Sequence, residues 1–425
     1  MNRRGFLGTV APLSLAGCLR LTEEETGEQG GGAAKNVAGA VDDGDETKTD
    51  TASAEQTTQD LPPAQLQGSF RQFGYDAQNT GYVPEVSGPT GRVEIVWRGP
   101  RTDGPPVVDE GDVYVGGRDG TLYALRDGTV RWKADIGGDT NAESSPVVTD
   151  DLVVMPGIDG YVRGFSKDGE QEWKSPRLFP EGAEHEPLIF SHPTVTENVF
   201  LTGGANGKIT AINPNTGSVL WSQRAFGYAN MPAVGNGLVF TAGGHPDHAS
   251  EEVPGINALS LTDGGVEWTF GTGTMFNANS PTVVGDRLLV TSLEGTVYAL
   301  DVADGSEVWR YEFGVEMEGV SPAVHDGTAF VGTKGEEFYA LDAETGERRW
   351  SHSMTEQVKT SAVVTDERVY ISDRSGEVRA LDPSNGVPRW SLNVGHSTHT
   401  GFAVVEDGLV IGSEELGVAV VRQKQ

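Results

Sequence analysis

Cysteine is almost absent: Cys18 is the only one in 425 residues, so no second thiol is present for a disulfide or a thiolate metal cluster. Positive charge is also short. Thirty-one Lys and Arg face 62 Asp and Glu, a net charge of -31, and no basic face is available to neutralise nucleic-acid phosphates. Lysine is scarce and arginine carries most of the positive charge, while the acids spread through the whole chain. Such a surface suits high salt, where dense counterions screen self-repulsion, and a haloarchaeal-type source is expected. Long apolar runs are missing too, and the short N-terminal stretch is too brief to cross a bilayer as a stable helix.

That N-terminus reads as an export address. Arg3-Arg4-Gly5-Phe6-Leu7 resembles a twin-arginine signal, and Leu15-Ala16-Gly17-Cys18 resembles a lipobox. The expectation is a signal peptide over 1–17 and a lipid on Cys18, anchoring the chain to the outer face of the cytoplasmic membrane. Residues 18–66 are acidic, small and poor in aromatics, so they cannot bury enough apolar surface to fold and form a solvated tether. From Phe70 to Tyr82, with Gln72, Tyr75, Asp76 and Asn79, a more structured lead-in is placed against the domain that follows.

Tryptophan is where the sequence is most regular. Trp97, Trp132, Trp173, Trp221, Trp268, Trp309, Trp350 and Trp390 occupy one slot of a repeat, and from Trp268 onward they recur every 40 or 41 residues. Within a repeat, short β-branched and aromatic runs alternate with Gly, Asp and Asn turns. One example is Thr328-Ala329-Phe330-Val331-Gly332, then Glu337 to Asp342, then Arg348-Arg349-Trp350. A period of this length made of four short strands predicts an all-β, eight-bladed propeller of four-stranded antiparallel blades. The blades fall at about 103–135, 144–175, 191–223, 230–270, 279–311, 320–352, 360–392 and 400–421, within a domain over 67–425. The last repeat lacks its fourth strand and its tryptophan, whereas residues 91–98 supply one strand and Trp97. The ends therefore complete each other, and the N-terminal strand closes the last blade.

The run Ala340-Leu341-Asp342-Ala343-Glu344-Thr345-Gly346-Glu347-Arg348-Arg349-Trp350 resembles the tryptophan-docking repeat of the pyrroloquinoline quinone (PQQ) propeller superfamily. The resemblance covers roughly residues 90 to 421. It implies an eight-bladed ring in which each indole docks on the next blade, so the eight tryptophans are read as structural. It also raises a PQQ-dependent dehydrogenase, with PQQ and calcium in the ring. This chain departs from that pattern: it has no adjacent cysteine pair, no tryptophan spare for a quinone platform, and no carboxylate and amide set that matches. The reading is therefore that no catalytic residue is assigned and no cofactor is required. A second resemblance, to the eight-bladed lipoprotein of the outer-membrane barrel assembly machinery, implies a protein-binding scaffold on a lipid anchor. A haloarchaeal-type cell has no outer membrane, so that partner does not transfer directly. The expected partners are the membrane, through Cys18, and another envelope protein, with the ring itself monomeric.

Two candidate sites remain. The blade-to-blade connections bring Asn141, Glu143, His192, Asn230, Asn277, Asn279, Glu318, Lys359, His396 and His399 to the mouth of the central channel, as a surface for a protein or a small solute. The insertion at His245, Asp247 and His248 offers nitrogen and oxygen ligands for a metal such as zinc or manganese, or else is a solvated acidic loop.

Overall fold

Residues in the strands alternate between valine-rich buried positions and turn residues, and this pattern is realised as 32 short strands with no helix among the described residues. The computed structural model describes residues 66–102, 104–137, 144–178, 192–204, 207–225, 230–243, 255–271, 276, 280–395, 401–413 and 415–424. All of these lie in the compact unit Leu61–Gln425.

The strands form eight four-stranded antiparallel sheets. The blade of the clearest repeat shows the unit: β22 (Ala323–His325) is innermost, followed by β23 (Thr328–Gly332), β24 (Glu337–Asp342) and β25 (Arg348–Ser353) at the rim. Its inner strands are buried on both faces, while the rim strand alternates exposed and half-buried residues. Glycine and aspartate allow the hairpins to turn this tightly. Asp342 accepts the amides of Glu344 at 3.0 Å and Thr345 at 2.9 Å, and Gly346 takes φ +74°, which a side chain disfavours. Arg349 beside Asp342, with the turn hydrogen bonds, holds its carboxyl well below the usual range, at about 2.

Closure is made by the two ends of the domain. β1 (Val93–Arg98) pairs with β32 (Ala419–Gln423), which continues through β31 (Gly408–Ile411) to β30 (Phe402–Val405) at the axis. The register runs from Val93 opposite Gln423 to Arg98 opposite Ala419, with a bulge between Ile95 and Trp97. The last blade is thus assembled from residues more than 300 positions apart. Among the described residues no blade is left as an open end, and buried faces of neighbouring blades pack together.

Candidate functional site

Any site on a propeller is positioned by two frameworks: the junctions between blades and the wall of the central channel. The junctions are nearly uniform. Each indole but Trp390 lies over the turn glycine of the following blade, and a Cβ on Gly217, Gly264, Gly305, Gly346 or Gly386 would meet the preceding ring at 2.4–2.6 Å. The glycine is needed twice over, for its positive φ and for the room it leaves. Seven indole Nε1 groups donate across the junction to a backbone carbonyl of the next blade, as Trp309 does to Ala343 at 3.1 Å and Trp350 to Pro383 at 3.0 Å. In the closing blade no such turn exists, because its outer two strands come from opposite ends of the chain. There Trp390 donates instead to Pro89, at 2.8 Å, from the segment leading into β1. Trp97 completes the series by lying over Gly128.

The channel wall is organised by the lead-in, which makes a full circuit of the ring. Each inner strand is an edge strand whose amides face the axis and need acceptors. The lead-in supplies them blade after blade. Gln67 O accepts from Glu406 (3.1 Å), Phe70 exchanges bonds with Val108 (2.7 and 2.8 Å), and Arg71 O accepts from Val148 (2.8 Å). The Gln72 side chain accepts from Val195 at 2.8 Å. Ala77, Gln78, Thr80 and Gly81 then accept from Val234, Val283, Val324 and Val364 at 2.6–2.9 Å. The amides used in blades one to seven belong to one homologous valine, which stands just before the turn to the second strand.

Side chains lock this strap at both ends. Arg71 bridges Asp109 and Asp150 at 2.7 Å each, and Lys167 reaches Asp109 at 2.6 Å. Burial works to raise the pKa of Asp109, but Lys167 and Arg71 outweigh it and hold the carboxyl below its ordinary value. Farther along, the buried Asn79 amide donates to Pro232 O (3.2 Å), Pro281 O (3.3 Å) and Ser280 Oγ. Tyr82 donates to Asp366 at 2.6 Å and stacks on His325 with ring centres 4.0 Å apart; the Asp366 carboxylate pushes the phenol up to about 12. Phe73, Asn79, Ser321 and Ser361 line a residual cavity of about 20 Å³, space for about one water.

Of the ten residues expected at the channel mouth, the structure brings two together. Lys359 donates to Glu318 at 3.1 Å, and Lys334, which the repeat pattern does not single out, lies 2.9 Å from Glu318 and 3.2 Å from Glu316. Burial alone would raise the Glu318 pKa, but the two lysines overcome it and hold the value below the ordinary 4.5. Glu318 and Lys359 stand one repeat apart, which places them side by side on neighbouring blades. His192 is at the inner end of blade three, its ring tilted 31° against Phe73 of the strap with centres 4.5 Å apart. Its Nδ1 is shut off from solvent, and burial pushes its pKa down to about 4. Asn230 begins the inner strand Asn230–Gly235. Asn141, Glu143, Asn277, Asn279, His396 and His399 lie outside the described residues, as do His245, Asp247, His248, Cys18, Arg3 and Arg4. Among the described residues no group of three or more His, Cys, Asp or Glu is gathered for a metal ion.

With this geometry in view, the comparison with known proteins is direct. The family model of outer membrane protein assembly factor BamB matches residues 79–235 and 252–423. The chain belongs to this family. It is 26% identical over 215 residues to BamB of Escherichia coli K12, covering 46% of this chain and 50% of that protein. To BamB of Yersinia pestis it is 32% identical over 119 residues, covering 26% of this chain and 28% of that protein. The chain thus spans half or less of the length of the curated relatives it matches. Among solved structures, BamB of Moraxella catarrhalis aligns with TM-score 0.56 and 16% identity over 84% of this chain and 99% of that one. Quinohemoprotein alcohol dehydrogenase of Comamonas testosteroni aligns with TM-score 0.70 and 12% identity over 84% and 82%. At these identities the likeness is one of fold.

Proposed function

We propose that this BamB-family propeller is a protein-binding scaffold of the cell envelope, exported through Arg3 and Arg4 and anchored by a lipid on Cys18 to the outer face of the cytoplasmic membrane. The tether over 18–66 gives the ring reach, and the face carrying the blade-to-blade connections takes an envelope protein. The observation that carries this reading is the strap: it occupies the axis beside the turns between first and second strands, so the opposite end of the ring is the one offered to a partner. Membership of a family whose curated relatives are named assembly factors supports it further. Two experiments test it. Cys18→Ser should move the protein from the membrane to the soluble fraction, and affinity capture from membranes in molar salt should recover one reproducible envelope partner. Loss of that partner with Glu318→Lys plus Lys359→Glu would map the face; capture of nothing reproducible refutes the reading.

A second reading is favoured by the likeness to a quinohemoprotein dehydrogenase. Its fit to the residues present is poor, because all eight indoles lie at blade junctions and the Glu318 carboxylate is held by two lysines. The protein is accordingly proposed to need no cofactor. Reconstitution with PQQ and calcium at high salt, read by absorbance and dye-linked oxidation, decides between them: turnover would establish the enzyme.

A further inference from the structure

The channel wall carries one repeated slot that is used differently on its two sides. At the inner end of five blades stand Ser145, His192, Ser280, Ser321 and Ser361, four of them directly before a proline. On the side of blades five to seven the slot works as a relay from blade to blade. The Ser280 amide donates to Ser321 Oγ at 2.8 Å, the Ser321 amide donates to Ser361 Oγ at 2.9 Å, and Ser280 Oγ donates back to Met231 O at 2.9 Å.

On the side of blades two and three the relay is broken. The residue homologous to the donors above is Pro105, which has no amide to donate, and the Gly104 amide before it bonds to Thr102 Oγ1 at 3.1 Å. Ser145 Oγ is then left buried with no hydrogen-bond partner, on a residue with 0% of its surface exposed. In the next blade His192 Nδ1 is also buried and unpartnered. Two homologous positions on adjacent blades thus hold polar atoms whose desolvation is not offset, which is costly wherever nothing else binds. Phe73 of the strap presents an aromatic ring to His192, with ring centres 4.5 Å apart.

We infer that Ser145 and His192, with the Phe73 ring beside His192, form a binding site for a small uncharged polyhydroxy molecule of the sugar or polyol class. The chemistry of the three groups sets the class. A serine hydroxyl can donate and accept, and a neutral imidazole nitrogen does one or the other according to tautomer, so paired hydroxyls satisfy both. The ring offers an apolar face to the carbon skeleton, the usual composition of a small-molecule site with few polar groups. Burial keeps His192 uncharged through the neutral range, so an anion gains no ion pair there. The site is independent of the scaffold reading, and partner capture can fail while this inference stands.

The test uses the full chain in molar salt and ligand-observed saturation-transfer NMR with D-glucose and myo-inositol, with gluconate as the anionic control. Transfer to a neutral probe and none to gluconate is expected. Ser145→Ala and His192→Phe should each weaken the dissociation constant about tenfold, the loss of one buried hydrogen bond. Both variants should fold, because each removes an unpartnered polar atom; should His192→Phe misfold, Ser145→Ala decides alone. Absence of transfer to both neutral probes, or equal affinity in the variants, overturns the inference and leaves these atoms to an ordered water.

Discussion

The rim and the axis of this ring solve the same problem, joining eight small sheets, by opposite means. At the rim one device is copied around the circle: an indole, a turn glycine and a backbone carbonyl, with Pro89 standing in where the chain ends interrupt it. At the axis nothing is copied exactly, because a single unrepeated strand of chain meets eight similar blades in turn. Repetition therefore serves cohesion at the rim, and the departures from it are concentrated at the axis. The polar slot shows this within one ring: it forms a relay through Ser280, Ser321 and Ser361 but is left open at Ser145 and His192.

Substitutions at the two frameworks should differ in size. Trp309→Ala removes a ring 9% exposed together with its bond to Ala343, and should cost about 3–5 kcal/mol in denaturant titration at high salt. At the axis, Asn79→Ala strips three acceptors of a buried donor and should cost about 1–3 kcal/mol. Gly346→Ala puts a Cβ 2.6 Å from the Trp309 ring at φ +74°, with a cost of about 1–3 kcal/mol. If the rim is uniform, Gly305→Ala, which meets Trp268 at 2.5 Å, should match it closely. Unequal losses would show that the junctions are not equivalent.

Acid should separate the regions further. The pKa of Glu318 is depressed in the folded ring, so its ion pairs stabilise above the unfolded carboxylate range and that contribution is lost as pH falls through the folded value. Glu318→Gln should flatten this acid limb, by under about 1 kcal/mol for so open a pair. His192 acts at higher pH. Its folded pKa is also depressed, to about 4 from 6.5, so the unfolded chain takes the proton first. Stability present above about 6.5 is lost progressively down to about 4, and His192→Phe should remove that slope from a thermal melt series.

The contrast also decides what could be read from the sequence. The rim was legible because its device depends on side chains at fixed spacing: Gly346 and Trp350 differ from their counterparts Gly386 and Trp390 by 40 positions, and the half-repeats at Trp97 and Val421 could be matched. The pairing of Glu318 with Lys359 was within reach for the same reason, being one period apart. The circuit of the strap was not, since it is made almost wholly of backbone carbonyls meeting valine amides, and main-chain acceptors leave no residue signature. The open state of Ser145, by contrast, was within reach. It follows from Pro105, which fills the slot in blade one and has no amide to donate to Ser145.

Native-state hydrogen exchange across the whole domain tests the central claim most directly, that the strap and the paired ends make eight blades one cooperative body. The strap-bound amides of Val108, Val148, Val234, Val283, Val324 and Val364 should exchange with the same opening free energy as the amides joining β1 to β32, through global unfolding. Fast exchange at those valines, while the β1 and β32 pairing stays protected, would contradict it.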